Sequence, residues 1–261
     1  MITKKIAILF LSLFILIACS KDSSADNQSK NIDKTSNLKT TGASAHDILA
    51  NTTFDELQFE IAFVKNHRPT TEAIANLETF LEQRTFKQKI SFSYNELSSP
   101  NETDLSLSEI AELESDNRTL YNSGKKLAIY IYFADAPSEE DDEDTGSVTL
   151  GAVYRNTSMV IFESTIKSLA AKSNLITEAS IETATLHHEM GHLFGLVNIG
   201  TDMVNNHEDT EAENHCNVDG CLMRAELQFG GGVTKMLIAN KNATANLDSE
   251  CILDLQANGG R

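Results

Sequence analysis

The chain has 261 residues, 41% of them hydrophobic, and its 38 Asp and Glu against 21 Lys and Arg give a formal net charge of −17 at pH 7. This length supports one sizeable buried core and is marginal for two. A chain this acidic repels phosphate backbones, which argues against a nucleic-acid partner. The sequence has no glycine period, sustained heptad or fixed-period repeat, which excludes the collagen, coiled-coil and solenoid classes.

The first 18 residues have the organisation of an export signal. Two lysines precede an apolar run at residues 6–18, which is shorter than a membrane-spanning helix needs. The run ends Leu16-Ile17-Ala18-Cys19, which resembles the lipobox of bacterial lipoproteins. The resemblance implies a lipid on Cys19 and a place in the bacterial cell envelope, at the outer membrane and facing either the periplasm or the outside. An ordinary secretory signal with an incidental cysteine is the alternative.

Residues 19–44 differ in composition from the rest of the chain. They are mostly Ser, Asn, Asp, Lys and Thr, with Ile32 and Leu38 as the only sizeable apolar side chains. Such a segment buries too little surface to offset the entropy of ordering it. We therefore predict a flexible tether, and a folded domain at 45–261.

Apolar periodicity predicts that strands and helices alternate along this domain. Alternating apolar residues indicate a strand, and apolar residues three or four apart indicate a helix. The predicted strands are 57–63, 89–94, 127–133, 148–154 and 159–162. One predicted helix ends near Arg84, and the others span 107–120, 177–194 and 247–257.

The acidic run 139–144 lacks the ligand spacing and central glycine of a calcium-binding EF-hand loop and predicts a solvated loop. Gly230-Gly231-Gly232 predicts a flexible link.

The main chemical signal is His188-Glu189-Met190-Gly191-His192, within the predicted helix 177–194. Two histidines at i and i+4 lie on one helical face, close enough for both imidazoles to bind one zinc ion. Glu189 can then reach a water at the open coordination position and act as general base. His187 lies about 100° round the helix from His188, and we expect it to be a solvated neighbour and not a ligand. Gly195 is predicted to end the helix.

Catalytic zinc usually has three protein ligands, so a third is expected downstream. The run His188, Glu189, His192, Gly195 resembles the metzincin metallopeptidases, whose pattern H-E-x-x-H-x-x-G-x-x-H returns a third histidine to the metal. In this sequence Asn198 occupies that third position, and an amide oxygen is a weaker zinc ligand than imidazole.

A second resemblance supplies another candidate for the third ligand. The stretch from His215 to Met223, HCNVDGCLM, is similar to the archaemetzincin continuation, in which the third histidine is followed by Cys, four residues, Cys, one residue and Met. This implies that His215 is the third zinc ligand, reached across a lengthened loop, and that Met223 forms the methionine turn beneath the metal. An ordinary core methionine is the alternative for Met223. Other candidates for the third ligand are His207, which is otherwise a solvated loop residue, Asn198, and a carboxylate such as Asp209.

Three cysteines follow the zinc motif. Archaemetzincins have a later C-x-x-C that joins the two earlier cysteines around a structural zinc, and here Asp248 replaces its first cysteine. Cys216, Cys221, Cys251 and Asp248 could still provide four ligands, although three thiolates and a carboxylate are a less usual set. The alternative is a disulfide, which would leave one of the three thiols free.

These resemblances imply an α+β fold with a twisted, mainly parallel sheet, backing helices and an active-site helix below the sheet. A smaller, irregular C-terminal subdomain at 196–261 is expected to close the cleft, whose upper rim is the edge strand 148–154. The expected function is zinc-dependent hydrolysis of peptide or protein substrates by a lipid-anchored metallopeptidase. The alternative is a catalytically silent zinc-binding surface lipoprotein that acts in binding or adhesion.

Overall fold

A five-stranded sheet organises the residues that the computed structural model describes, which are 33–142, 144 and 147–261. The strands are β1 (Glu56–Val64), β2 (Lys89–Leu97), β3 (Lys126–Phe133), β4 (Gly151–Arg155) and β5 (Ser158–Ile161). Their spatial order is β2-β1-β3-β5-β4. All neighbours pair in parallel except β4, which runs antiparallel to β5 at one edge. The predicted α+β class with a mainly parallel sheet is confirmed.

Helices cover both faces of this sheet. They are α1 (Ala45–Leu49), α2 (Thr71–Arg84), α3 (Leu107–Asn117), α4 (Glu163–Ala171), α5 (Glu178–Leu193), α6 (Gly230–Ala239) and α7 (Ser249–Ala257). A short hairpin, β6 (Glu208–Asp209) and β7 (Ala212–Cys216), lies between α5 and α6 in the sequence. No helix in the described part of the chain is long and apolar enough to cross a membrane.

The alternation of side chains along the strands divides the core into two layers. Phe59 and Ile61 of β1 face the cluster that contains the apolar residues of α2 and α5. Tyr130 and Tyr132 of β3 face the opposite cluster, with Ile110 of α3. Because both faces are covered, seven of the eight residues of β3 are buried, as its near-continuous apolar sequence predicts.

The long helix α5 begins and ends close to the predicted residues. Thr177 caps its start, since its side chain accepts from the Ser180 amide while the Ser180 hydroxyl accepts from the Thr177 amide. The helix ends at Leu193, and Gly195 follows at φ +73°, a conformation that favours glycine. The Leu196 amide donates back to the Gly191 carbonyl at 3.2 Å, which closes the last turn. This geometry fixes the direction in which the chain leaves the helix.

The sequence predictions for two segments of the backbone are wrong. Residues 33–44, assigned to the tether, pack on the domain, because the buried Asn37 side chain donates to the Ala128 carbonyl and to the Thr157 hydroxyl, each at 3.0 Å. Residues 230–232, predicted to be a link, begin α6. The export signal, Cys19 and the rest of the predicted tether lie outside the described residues.

Candidate metal centre

Helix α5 presents His188, Glu189 and His192 inside the fold, where all three side chains are buried. The Nε2 atoms of His188 and His192 lie 3.2 Å apart. Two nitrogens that bind one tetrahedral zinc at about 2.1 Å lie about 3.4 Å from each other. The i, i+4 pair is therefore spaced for a shared metal ion without a change of helix geometry.

His215, near the end of β7, converges on this pair. Its ring centroid lies 5.4 Å from that of His188 and 5.0 Å from that of His192. One ring nitrogen from each histidine lies within 4.8 Å of the other two. His215 Nδ1 donates to the Glu213 carbonyl at 3.0 Å, and its buried Nε2 has no hydrogen-bond partner among the described residues. A buried nitrogen left in this state fits a metal ligand.

The protonation states of the three histidines suit metal binding. Burial lowers the pKa of His188 to about 4, lowers the pKa of His192 well below its usual value, and lowers the pKa of His215. The imidazoles are therefore neutral at pH 7, which is the form that binds metal. His188 Nδ1 donates to the Leu222 carbonyl at 2.8 Å, which directs its Nε2 towards the other two rings.

Glu189 lines a cavity of about 210 Å³ together with His192 and His215. Burial raises the pKa of Glu189 to about 8, and a cation beside the carboxylate would lower it. Its Oε1 atom has no hydrogen-bond partner within the described part of the chain. The cavity is also lined by Ala152 and Val153 of edge strand β4, so a base, two of the three imidazoles and a strand edge meet at one cleft.

Met223 lies under α5 at the level of the histidines. A Cβ atom added to Gly191 would be only 2.1 Å from the Met223 Sδ atom, so the thioether occupies the space that a glycine leaves open. The Met223 carbonyl accepts from the Cys216 amide at 2.7 Å, which joins the methionine segment to the strand that carries His215. These contacts place Met223 beneath the glycine that lies between His188 and His192, and its role as a methionine turn stays a prediction.

The other predicted ligands lie elsewhere. Asn198 is exposed, and its side chain donates to Glu208 at 3.3 Å. Asp209 is not part of the three-histidine group. His187 also stands apart from it, but it is not a solvated side chain, because its ring stacks on Phe80 at 4.2 Å and its Nε2 donates to the Asn76 carbonyl.

The three cysteines form a second group beside this site. All three are buried and free in the structure, and the Sγ atoms of Cys221 and Cys251 lie 3.6 Å apart. Two sulfurs bound to one tetrahedral zinc at about 2.3 Å lie about 3.8 Å from each other. The amides of Val218 and Met223 donate to the sulfurs of Cys216 and Cys221, respectively. Hydrogen bonds from the neighbouring thiols lower the pKa of Cys221 to about 5, so this cysteine is the one that favours the thiolate form.

His207 belongs to this cysteine group and not to the catalytic one. Potential ligand atoms of His207, Cys216, Asp248 and Cys251 all lie within 4.8 Å of one another. His207 is buried, so the prediction of a solvated loop residue is wrong. Its Nε2 donates to Asp254 at 2.7 Å, which leaves Nδ1 directed at the Cys216 sulfur, 3.2 Å away. A carboxylate that holds a histidine in this way is a common support for a metal ligand.

The sequence analysis did not identify Asp254. The signal available was its spacing on α7, since Cys251, Asp254 and Leu255 follow the i, i+3, i+4 pattern of a buried face. An acidic residue on such a face requires a partner, and His207 is that partner.

Comparison with known proteins finds several similar solved structures, among them an archaemetzincin and a bacterial metalloproteinase. No protein-family model and no curated protein matches the sequence. An archaemetzincin from Methanopyrus kandleri is 13% identical with a TM-score of 0.49, over 78% of this chain and 96% of that one. Metalloproteinase-II from Bacteroides fragilis is 14% identical with a TM-score of 0.41, over 88% of this chain and 59% of that one.

Proposed function

We propose that the protein is a zinc-dependent peptidase, with His188, His192 and His215 as metal ligands and Glu189 as general base. The observation that carries this proposal is the convergence of three buried imidazoles, with nitrogens within 4.8 Å, beside a buried carboxylate at an open cleft. The donor set fits zinc, because three neutral nitrogens and a free position are typical of catalytic zinc.

The residues of the site have separate roles in the proposed hydrolysis. Zinc, when bound, supplies Lewis-acid activation of a water molecule and of the peptide carbonyl. Glu189 takes a proton from the attacking water on its carboxylate and passes it to the nitrogen of the leaving amine. The hydrogen bond to the Leu222 carbonyl keeps His188 oriented, and strand β7 carries His215.

The edge strand β4 offers a way to position the substrate. It lies at the end of the sheet, and Ala152 and Val153 line the cavity with Glu189. An extended peptide can add to such an edge as a further strand, with its backbone held by main-chain hydrogen bonds. The scissile bond would then lie along the same cleft as the three histidines.

The cleft favours substrates with basic side chains. Glu139, Glu140 and Glu213 line the cavity with Glu189, whereas no Lys or Arg does so among the described residues. A cleft lined by charges of one sign attracts ligands of the opposite charge, most strongly at low salt. We expect peptides with Lys or Arg near the scissile bond to be cleaved in preference to acidic ones.

We further propose that the cysteine group holds a second, structural zinc. Cys216, Asp248 and Cys251 are common to both candidate sets, and His207 completes the set whose ligand atoms lie within 4.8 Å of one another. Asp248 also caps α7, because its Oδ1 accepts from the amides of Glu250 and Cys251. A zinc here would join the inserted loop, β7 and α7.

The proposed location rests on the N-terminal sequence alone. Cys19 in the lipobox-like run would carry the lipid, and the peptidase domain would act from the outer membrane of a bacterial envelope. Residues 33–44 pack on the folded domain, so they do not belong to the proposed tether.

A peptide-library digest tests the enzymatic proposal. The parent protein loaded with zinc should cleave peptides, lose activity to a chelator and regain it when zinc is returned. Glu189→Gln should keep zinc but lose at least about a hundredfold in kcat/KM, since an amide cannot accept the proton. Glu211→Gln, an exposed change outside the cavity lining, is the matched control. Bound zinc without cleavage in the parent would instead support a silent zinc-binding protein.

A further inference from the structure

Three glutamates meet at the starts of two helices, away from the histidines. Glu163 lies in the first turn of α4, whereas Glu178 and Glu182 lie in the first two turns of α5. One oxygen from each carboxylate lies within 4.8 Å of the other two. Glu182 precedes His188 by six residues, or about 9 Å along the helix axis, so this group is distinct from the proposed catalytic site.

Glu163 has an unusual environment. Its side chain is fully buried, and apart from the carboxylates of Glu178 and Glu182 neither of its oxygens has a hydrogen-bond partner among the described residues. The other two glutamates do have partners. Glu182 accepts from the Thr70 amide and hydroxyl, and Glu178 pairs with Lys167 at 3.1 Å. Glu163 is therefore directed into the acidic group, and no described residue outside that group satisfies its oxygens.

Burial of this group requires a compensating charge. Three carboxylates face one lysine, and a buried carboxylate without partners is costly. Burial and the neighbouring carboxylates of Glu182 and Glu178 raise the pKa of Glu163 to about 10. The group must therefore hold either protons or a cation.

We propose that Glu163, Glu178 and Glu182 bind a calcium ion. Calcium prefers oxygen ligands at 2.3–2.6 Å, so two ligand oxygens on opposite sides of the ion lie about 4.6–5.2 Å apart. The oxygens of this group all lie within 4.8 Å of one another, so one calcium ion can reach all three, whereas magnesium is usually bound through only one or two carboxylates. The Glu178 side chain is 31% exposed and provides a route for the ion from solvent.

The ion would connect three helices. Glu163 belongs to α4, Glu178 and Glu182 belong to α5, and Glu182 holds the N-cap residue of α2 through Thr70. Calcium would then fix the base of the helix that carries His188 and His192. This role is structural and does not depend on the proposed hydrolysis.

Thermal unfolding and calorimetry test the site. The protein is freed of metal with EGTA, dialysed, and titrated with calcium chloride. We expect one calcium per chain, a dissociation constant on the order of 10⁻⁴ to 10⁻³ M, and a saturable rise in Tm. Glu163→Gln should lose both the binding and the rise. Glu72→Gln, an exposed change in the first turn of α2, should keep both.

Two variants distinguish loss of calcium binding from loss of folding. Glutamine has the shape of a protonated glutamate, so Glu163→Gln should fold with a calcium-free Tm close to that of the parent. Glu178→Gln, at a partly exposed position, is a second variant and should weaken calcium binding at least tenfold. No calcium response in the parent, an unchanged response in Glu163→Gln, or an equal response to magnesium would each overturn the calcium assignment.

Discussion

The contact between Gly191 and Met223 gives a prediction whose size follows from the structure. In Gly191→Ala the new Cβ would lie 2.1 Å from the Met223 Sδ atom and 3.0 Å from its Cε atom, whereas ordinary contacts are about 3.5–4.0 Å. The methionine or the helix must therefore move by more than 1 Å. Overpacking of this kind costs about 1–3 kcal/mol, against a gain of about 1 kcal/mol in helix propensity.

The expected net loss is up to about 2 kcal/mol, which lowers Tm by up to about 8 °C in a domain of this size. Activity should fall by at least about tenfold, because Gly191 lies between His188 and His192 and small displacements of catalytic groups are costly. Differential scanning calorimetry measures the first effect, and peptide cleavage by the zinc-loaded protein measures the second.

Two further variants make this prediction refutable. Gly231→Ala in α6 is the matched control, since a Cβ there meets no atom within 4 Å, and it should be neutral or stabilising by up to about 1 kcal/mol. Met223→Ala creates space for the new methyl group, so the double variant should be less destabilised than the sum of the two single changes. An additive double variant, or a Gly191→Ala protein as stable as the parent, would refute the packing of Met223 beneath α5.

The remaining predictions concern the second metal, the substrate and the anchor. Asp254→Asn should weaken zinc binding at the cysteine group about 10- to 100-fold, measured by competition with a chromogenic chelator, and should leave the catalytic zinc in place; equal loss from both sites would contradict it. Glu139→Lys with Glu140→Lys should reduce kcat/KM for Lys-containing peptides up to about tenfold at low salt, and the difference should vanish near 1 M salt. Cys19→Ser should abolish metabolic lipid labelling and release the protein from membranes, and a parent protein that takes up no label would disprove the anchor.

The strands and the longest helix of the fold could be predicted because their patterns are strong. The buried run in β3 and the capped helix α5 each combine apolar periodicity with a clear end signal. The sequence did not predict α4, and α6 was hidden by its three initial glycines, which are poor helix formers. Packing determines those segments, since Val233 and Leu237 of α6 are buried in the core.

The convergence of the three histidines could be predicted from local motifs, although the ligand role itself remains a prediction. The spacing from His215 to Met223 pointed to this site although His215 lies 23 positions beyond His192, and the entropy cost of closing a loop grows only with the logarithm of its length. The partnership of His207 with Asp254 could not be predicted, because the two residues are 47 positions apart and neither belongs to a local motif. The glutamate group was missed for the same reason, since it joins the starts of two helices.

Anomalous X-ray scattering from a zinc-loaded crystal, recorded on both sides of the zinc absorption edge, tests the central claim most directly. We predict a zinc peak between His188, His192 and His215, with one imidazole nitrogen of each at about 2.1 Å. The peak should persist in Asn198→Ala and be lost or strongly reduced in His215→Ala. A peak bound by only the two helical histidines, with His215 turned away, would contradict the proposed catalytic centre.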